Sequence, residues 1–276
     1  MNFSREFYKL IYMTSEQKQQ IYSLLKTAAD SILGYKSSSF NENAPFFKDD
    51  EKIQPQEKQQ SQEKKQPQEN TKNLNQILPQ SMQNVIEKIA QCTRCPLAKN
   101  RHNTVPGTGV SSPFVLVIGE GPGFEEDMQG LPFVGPAGQL LDKMLAAINL
   151  SRISNVYIAN IVKCRPPQNR NPYPEEADAC SSFLQAQIAL LKPKAILCVG
   201  TVAAKNLLKT EFGVTKLRGQ FFEYQNIPVC VTYHPSALLR DISLKRLAWE
   251  DLKFFKTKLL ELNPGYESQY IPYVKQ

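Results

Sequence analysis

Four cysteines constrain this chain more than any other feature: Cys92 and Cys95 enclose two residues, and Cys164 and Cys180 bracket a proline-rich stretch of fifteen. A CxxC joined at long range by a second pair brings separated segments around one point, and four thiolates there suit an iron-sulfur cluster or structural zinc. Spacing alone leaves those two open. Metal-type spacing, with Arg5, Glu6 and Lys9 interrupting any leader-like apolar core, implies a reducing interior, and the expected location is cytoplasmic. Cys198 and Cys230 lie inside apolar runs and read as small core residues.

The chain's parts differ in composition. Residues 1–78 hold 11 Lys/Arg against 10 Asp/Glu, whereas residues 79–276 hold 22 against 16, so the basic excess belongs to the second part. A basic domain attracts polyanions, of which nucleic acid is the usual one. No apolar run reaches the ~18 residues that a membrane span needs, so no membrane association is expected. Phe3, Phe7, Leu10 and Ile11, then Ile21, Leu24, Leu25, Ala28 and Ile32, recur at helical spacing. Residues 1–35 are therefore read as an amphipathic helical segment, a candidate surface for a protein partner. Residues 36–78, rich in Gln, Lys and Glu, cannot bury enough apolar surface to fold and read as a disordered linker.

Alternating strand and helix signals fill residues 79–265, with 266–276 left as a C-terminal tail. Phe114–Ile118, Val156–Ala159, Ala195–Val199 and Val229–Tyr233 have the continuous Val/Ile character of strands buried on both faces. Helical stretches cover about 137–149, 174–191, 201–209 and 243–262. The predicted fold is a three-layer α/β/α sandwich around a central four-stranded parallel sheet. Such sheets bind ligands beyond the carboxyl ends of their strands, where Glu120, Asn160 and His234 all fall.

The turn Gly119-Glu120-Gly121-Pro122-Gly123 leaves backbone open to a ligand and sets one carboxylate at the mouth of the sheet. A phosphate loop is not expected, because no GK[ST] follows and Glu125, Glu126 and Asp127 would repel phosphate. Phe133, between turn residues, suits stacking on a flat heterocycle or plugging the core. Asn160 offers a donor and an acceptor side by side, matching a nucleobase edge. His234 precedes Pro-Ser just after a buried strand. On the same loop Leu238, Leu239 and Arg240 could bring apolar tips and a positive charge to a duplex, the alternative being that both leucines enter the core.

In this order the motifs make the chain resemble the family-4, iron-sulfur uracil-DNA glycosylases over about residues 82–262. They are Cys92-Thr93-Arg94-Cys95-Pro96, the Glu120 turn, Gly130-Leu131-Pro132-Phe133-Val134-Gly135, Asn160-Ile161-Val162-Lys163-Cys164-Arg165-Pro166-Pro167, Cys180, and the run from His234 to Arg240. The resemblance implies a uracil-DNA glycosylase fold and a structural [4Fe-4S] cluster on Cys92, Cys95, Cys164 and Cys180. It further implies that Gly119, Gly121 and Asn160 read uracil, that Phe133 stacks on it, and that Glu126 belongs to the pocket wall. His234 would face the base O2 and Glu120 would act on water and sugar. Leu238 would fill the hole left in the duplex, and Arg240 would lie against DNA. The implied activity is monofunctional excision of uracil from single- or double-stranded DNA by a monomer, leaving an abasic site. Rival readings are a non-catalytic DNA-binding or replication-associated module on this fold, and a zinc-stapled hydrolase of another nucleotide.

Overall fold

The computed structural model describes residues 80–273; the helical segment expected over 1–35 and the linker expected over 36–78 lie outside the described residues. In chain order the main elements are α1 (Gln80–Ala90), β1 (Thr108–Gly109), β2 (Val115–Gly119), α2 (Phe124–Gln129), α3 (Pro136–Ala146) and β3 (Val156–Asn160). They continue with α4 (Pro174–Leu191), β4 (Ala195–Val199), α5 (Thr201–Leu208), α6 (Val214–Leu217), β5 (Phe221–Tyr224), β6 (Ile227–Thr232), α7 (Pro235–Arg240) and α8 (Leu244–Leu262).

One sheet runs in the order β1-β3-β2-β4-β6-β5. The middle four strands are parallel, as expected, and antiparallel β1 and β5 add an edge on either side. Those edges escaped the sequence reading for a physical reason. β1 is two residues long, and β5 is only half-buried, so neither carries the apolar run of a strand covered on both faces. Every residue of β2, β3 and β4 is buried. Leu116, Ile118, Ala159 and Ile196 face α1, α4 and α5 through Met82, Leu184, Ile188 and Leu207. Val115, Val117, Ile158 and Leu197 face α3 and α8 through Leu141, Leu145, Leu252 and Phe255. Two helical layers thus sandwich the sheet, and Cys198 and Cys230 lie fully buried within it.

The register aligns the carboxyl ends. Gly119 of β2 stands opposite Asn160 of β3, and Val199 of β4 opposite Thr232 of β6. β2 sits between β3 and β4, so the chain leaves it in opposite directions and a crevice opens at its carboxyl end. One boundary needs correcting. Tyr266 is fully buried, stacks on Phe114 at 5.3 Å between ring centroids and donates its hydroxyl to the Ile148 carbonyl at 2.8 Å. Tyr266, the first residue of the expected tail, is therefore part of the packed domain; a single core aromatic in a polar stretch produces no periodicity to read.

Candidate active site

Beyond those strand ends lies a cavity of about 630 Å³, within the usual range for a small-molecule site. Glu120, Gly121, Glu126, Phe133, Asn160, His234 and Arg240 all line it. Residues separated by 120 positions in the chain thus converge as the sheet predicts. Asn160, the last residue of β3, is 1% exposed, and its Oδ1 has no hydrogen-bond partner. An unpartnered buried carbonyl costs ~1–3 kcal/mol, which a ligand N–H would recover. Gly119 makes the approach possible. A Cβ there would overlap Asn160 Oδ1 and lie 2.6 Å from the Phe133 ring.

His234 caps α7. Its Nδ1 accepts from the Ser236 backbone N–H at 3.2 Å and lies 2.8 Å from the Ser236 hydroxyl. An accepting Nδ1 places the proton of a neutral ring on Nε2. Burial, helped by the nearby Arg240 charge, pushes the imidazole pKa down to about 4, so the ring is neutral at physiological pH. The Phe133 ring lies 5.6 Å away at a 33° tilt. For Glu120 burial raises the carboxyl pKa above its ordinary 4.5, and Arg240 pulls against that shift.

Glu126 lines the cavity, yet both its oxygens are engaged by backbone: Oε1 accepts from Val134 and Gly135, and Oε2 from Gly123. It therefore shapes the wall, as expected of it, by tying the start of α2 to the Phe133 loop. The two leucines of α7 differ in exposure. Leu238 is 2% exposed and packed in the core, whereas Leu239 is 46% exposed. Adjacent residues on a helix point about 100° apart, so the two leucines cannot share a direction.

The four cysteines converge on a second, narrow cavity beside α1 and α4. Cys92 and Cys95 follow α1, Cys164 follows β3, and Cys180 lies within α4. Arg101 donates to Cys164 Sγ at 3.2 Å and to the Cys92 carbonyl at 2.7 Å, and Arg94 reaches Cys92 Sγ at 3.5 Å. Burial pushes the Cys164 thiol up to about 11 and raises that of Cys180. Among the described residues, no three His, Cys, Asp or Glu side chains close on a single metal-ion position. Four thiols around a shared space, beside the guanidinium donors of Arg94 and Arg101, suit a thiolate-held metal group.

Several contributors were not singled out from sequence. Ser236 fixes the His234 tautomer, Arg101 faces the sulfurs, and buried Lys163 donates to the Asn160 backbone carbonyl at 2.8 Å and to Gln187 Oε1 at 2.7 Å. Only Ser236 and Lys163 had a signal, their adjacency to motif residues.

Residues 106–253 match the family model of the Uracil DNA glycosylase superfamily. The chain is 43% identical over 180 residues to a type-4 uracil-DNA glycosylase of Thermotoga maritima, covering 64% of this chain and 93% of that protein. Similar relatives are type-4 uracil-DNA glycosylases of Archaeoglobus fulgidus, 39% identical over 63% of this chain and 91% of that one, and of Pyrobaculum aerophilum, 40% identical over 63% and 92%.

Proposed function

The chain belongs to the uracil-DNA glycosylase superfamily and to its type-4 branch, and on that premise we propose how its own residues perform the excision. The protein removes uracil from DNA by hydrolysing the N-glycosyl bond. The observation that carries the assignment of the pocket is the unpartnered Oδ1 of Asn160, buried beside an aromatic ring in a cavity roomy enough to admit a nucleobase.

Uracil must leave the helical stack, which costs a few kcal/mol and is easiest opposite guanine. Inside the cavity Phe133 covers one face of the base. The Asn160 amide pairs its acceptor with uracil N3–H and its donor with the neighbouring carbonyl. Cytosine presents the reverse order, so the same amide rejects it. As the C1′–N1 bond breaks, the electron pair moves onto uracil, and the Nε2–H of neutral His234 donates to the developing charge at O2. Hydrogen bonds aimed at developing charge are usually the largest catalytic contribution. Glu120, as carboxylate, favours the oxocarbenium sugar and orients the water that attacks C1′. Free uracil and an abasic site result. Among the described residues no lysine lines the cavity, so no amine stands ready for strand cleavage.

Cys92, Cys95, Cys164 and Cys180 would hold a [4Fe-4S] cluster. When bound, it supplies metal–thiolate bonds that cross-link the end of α1, the loop after β3 and α4. That loop carries Pro166, Asn169 and Arg170 into the cavity wall, so a structural staple there supports the pocket's far side. DNA is the partner; among the described residues no helix is long and apolar enough to cross a membrane.

The test is excision from a labelled oligonucleotide with a single uracil, followed by alkali, with thymine as control and iron content measured on the same protein. Alkali-dependent cleavage at uracil alone is the expected result. Absence of cleavage by iron-replete protein would overturn the reading and favour a binding module.

A further inference from the structure

Phe133 occupies a backbone conformation that an aromatic residue disfavours, with φ at 54°, in the left-handed region. Its surroundings hold it there from both sides. On the carbonyl side, Arg152 donates from Nη1 to the Pro132 carbonyl and from Nη2 to the Phe133 carbonyl, each at 3.0 Å. Arg152 is 5% exposed, and Asp142 of α3 aims its guanidinium through Nε at 2.9 Å and Nη2 at 2.8 Å. On the amide side, the Val134 and Gly135 N–H groups donate to Glu126. Gly138 completes the seat, since a Cβ there would overlap the Phe133 carbonyl.

Arg152 itself does not line the cavity. A buried Arg–Asp pair could serve packing alone, but two of the three N–H donors left over converge on the two carbonyls that set the backbone at and before Phe133. Such a planar fork matches two carbonyls as no lysine would. Building on the excision reading above, we propose that Arg152, oriented by Asp142, is a positioning residue that acts on the reaction through Phe133, holding its ring against the floor made by Gly119 and Asn160. A stacking ring loses its value quickly with displacement, because small misplacements in an assembled site cost large factors in rate.

The test is a double-mutant cycle of single-turnover excision at saturating enzyme, with DNA affinity and thermal stability measured alongside. Arg152→Met is expected to slow the chemical step by about 10- to 100-fold with little change in DNA affinity. In a Phe133→Ala background the same substitution should add less than about twofold to the loss, while still lowering the melting temperature as it does alone. Equal slowing in both backgrounds would overturn the proposal, as would an unaffected rate in Arg152→Met. Should that variant fail to fold, Asp142→Asn replaces it in the cycle, with the same two overturning results. Wild-type protein that excises nothing refutes the function itself, a different outcome from an active enzyme whose cycle is additive.

Discussion

The proposed uracil pocket and the cysteine cavity share one short piece of chain, Asn160 through Cys164, and satisfy their polar atoms in opposite ways. In the pocket the fold has already positioned the working groups: Ser236 sets the His234 tautomer, backbone amides engage Glu126, and Lys163 holds the Asn160 carbonyl. Asn160 Oδ1, which the proposed reading turns toward the base, is left without a partner. In the cysteine cavity the donors are in place, yet burial has raised the thiol pKa values of Cys164 and Cys180. Such thiols become strong ligands only when a metal displaces their protons. On the proposed reading, one region stands ready before its ligand arrives and would release it each turnover, and the other would be finished by a ligand that stays.

That contrast breaks most visibly at Asn160. Asn160→Ala should lower single-turnover excision by about 100- to 1,000-fold, the range for losing a placed hydrogen-bonding group in an active site. Because its Oδ1 is unpartnered in the free protein, the same change should leave the melting temperature unchanged or slightly raised and the iron content intact. A large fall in stability would mean that the amide is part of the fold and not reserved for the base.

Cys164→Ser should do the converse. Iron content and cluster absorbance should fall, with stability lower by roughly 2–5 kcal/mol, comparable to removing a structural crosslink. Among molecules that remain folded, the excision rate should stay within about tenfold of wild type, because His234 and Asn160 are positioned by hydrogen bonds that do not pass through sulfur. An excision rate per folded molecule that drops as far as in Asn160→Ala would join the two regions into one.

The acidity of the pocket offers a smaller, more selective handle. Neutral His234 does not titrate until pH falls to about 4. Burial raises Glu120 above its ordinary 4.5, so its carboxylate is lost first as pH falls. The rate should therefore decline on the acid side at a pH above 4.5, with no inflection at the ordinary histidine value of 6.5. Glu120→Gln should lower the plateau by about 10- to 100-fold and remove that acid limb. An acid limb that survives in this variant would assign the titration to another group.

How much of this was legible depended on whether the signal lay within one segment. The four parallel strands could be read because burial on both faces leaves unbroken Val/Ile runs, and their ends located Glu120, Asn160 and His234 without any contact being known. The cysteine spacing likewise foretold that Cys92 and Cys95 would meet Cys164 and Cys180. What stayed hidden depends on direction in space. Glu126 lines the pocket as expected, but only the fold shows its oxygens spent on backbone amides 8 and 9 residues away. Arg152 lies in a turn with no motif, and its importance rests on carbonyls 19 and 20 residues earlier.

The subtlest of these directions is the choice between adjacent leucines, and it yields the smallest predicted effect on catalysis. The family pattern assigns the duplex-filling wedge to Leu238, whereas α7 buries that side chain at 2% exposure and leaves Leu239 at 46%. Leu238→Ala should cost about 2–5 kcal/mol of stability, as for other buried leucines, with excision per folded molecule little changed. Leu239→Ala should stay within about 0.5 kcal/mol of wild-type stability. It should slow excision only a few-fold, and only from duplex DNA, where a vacated stack must be held open; a single strand needs no plug and should lose its uracil at the wild-type rate. Measuring both variants on both substrates separates the two accounts. A duplex-selective defect in Leu238→Ala, with none in Leu239→Ala, would mean that α7 rotates on binding DNA and exchanges the leucine it buries.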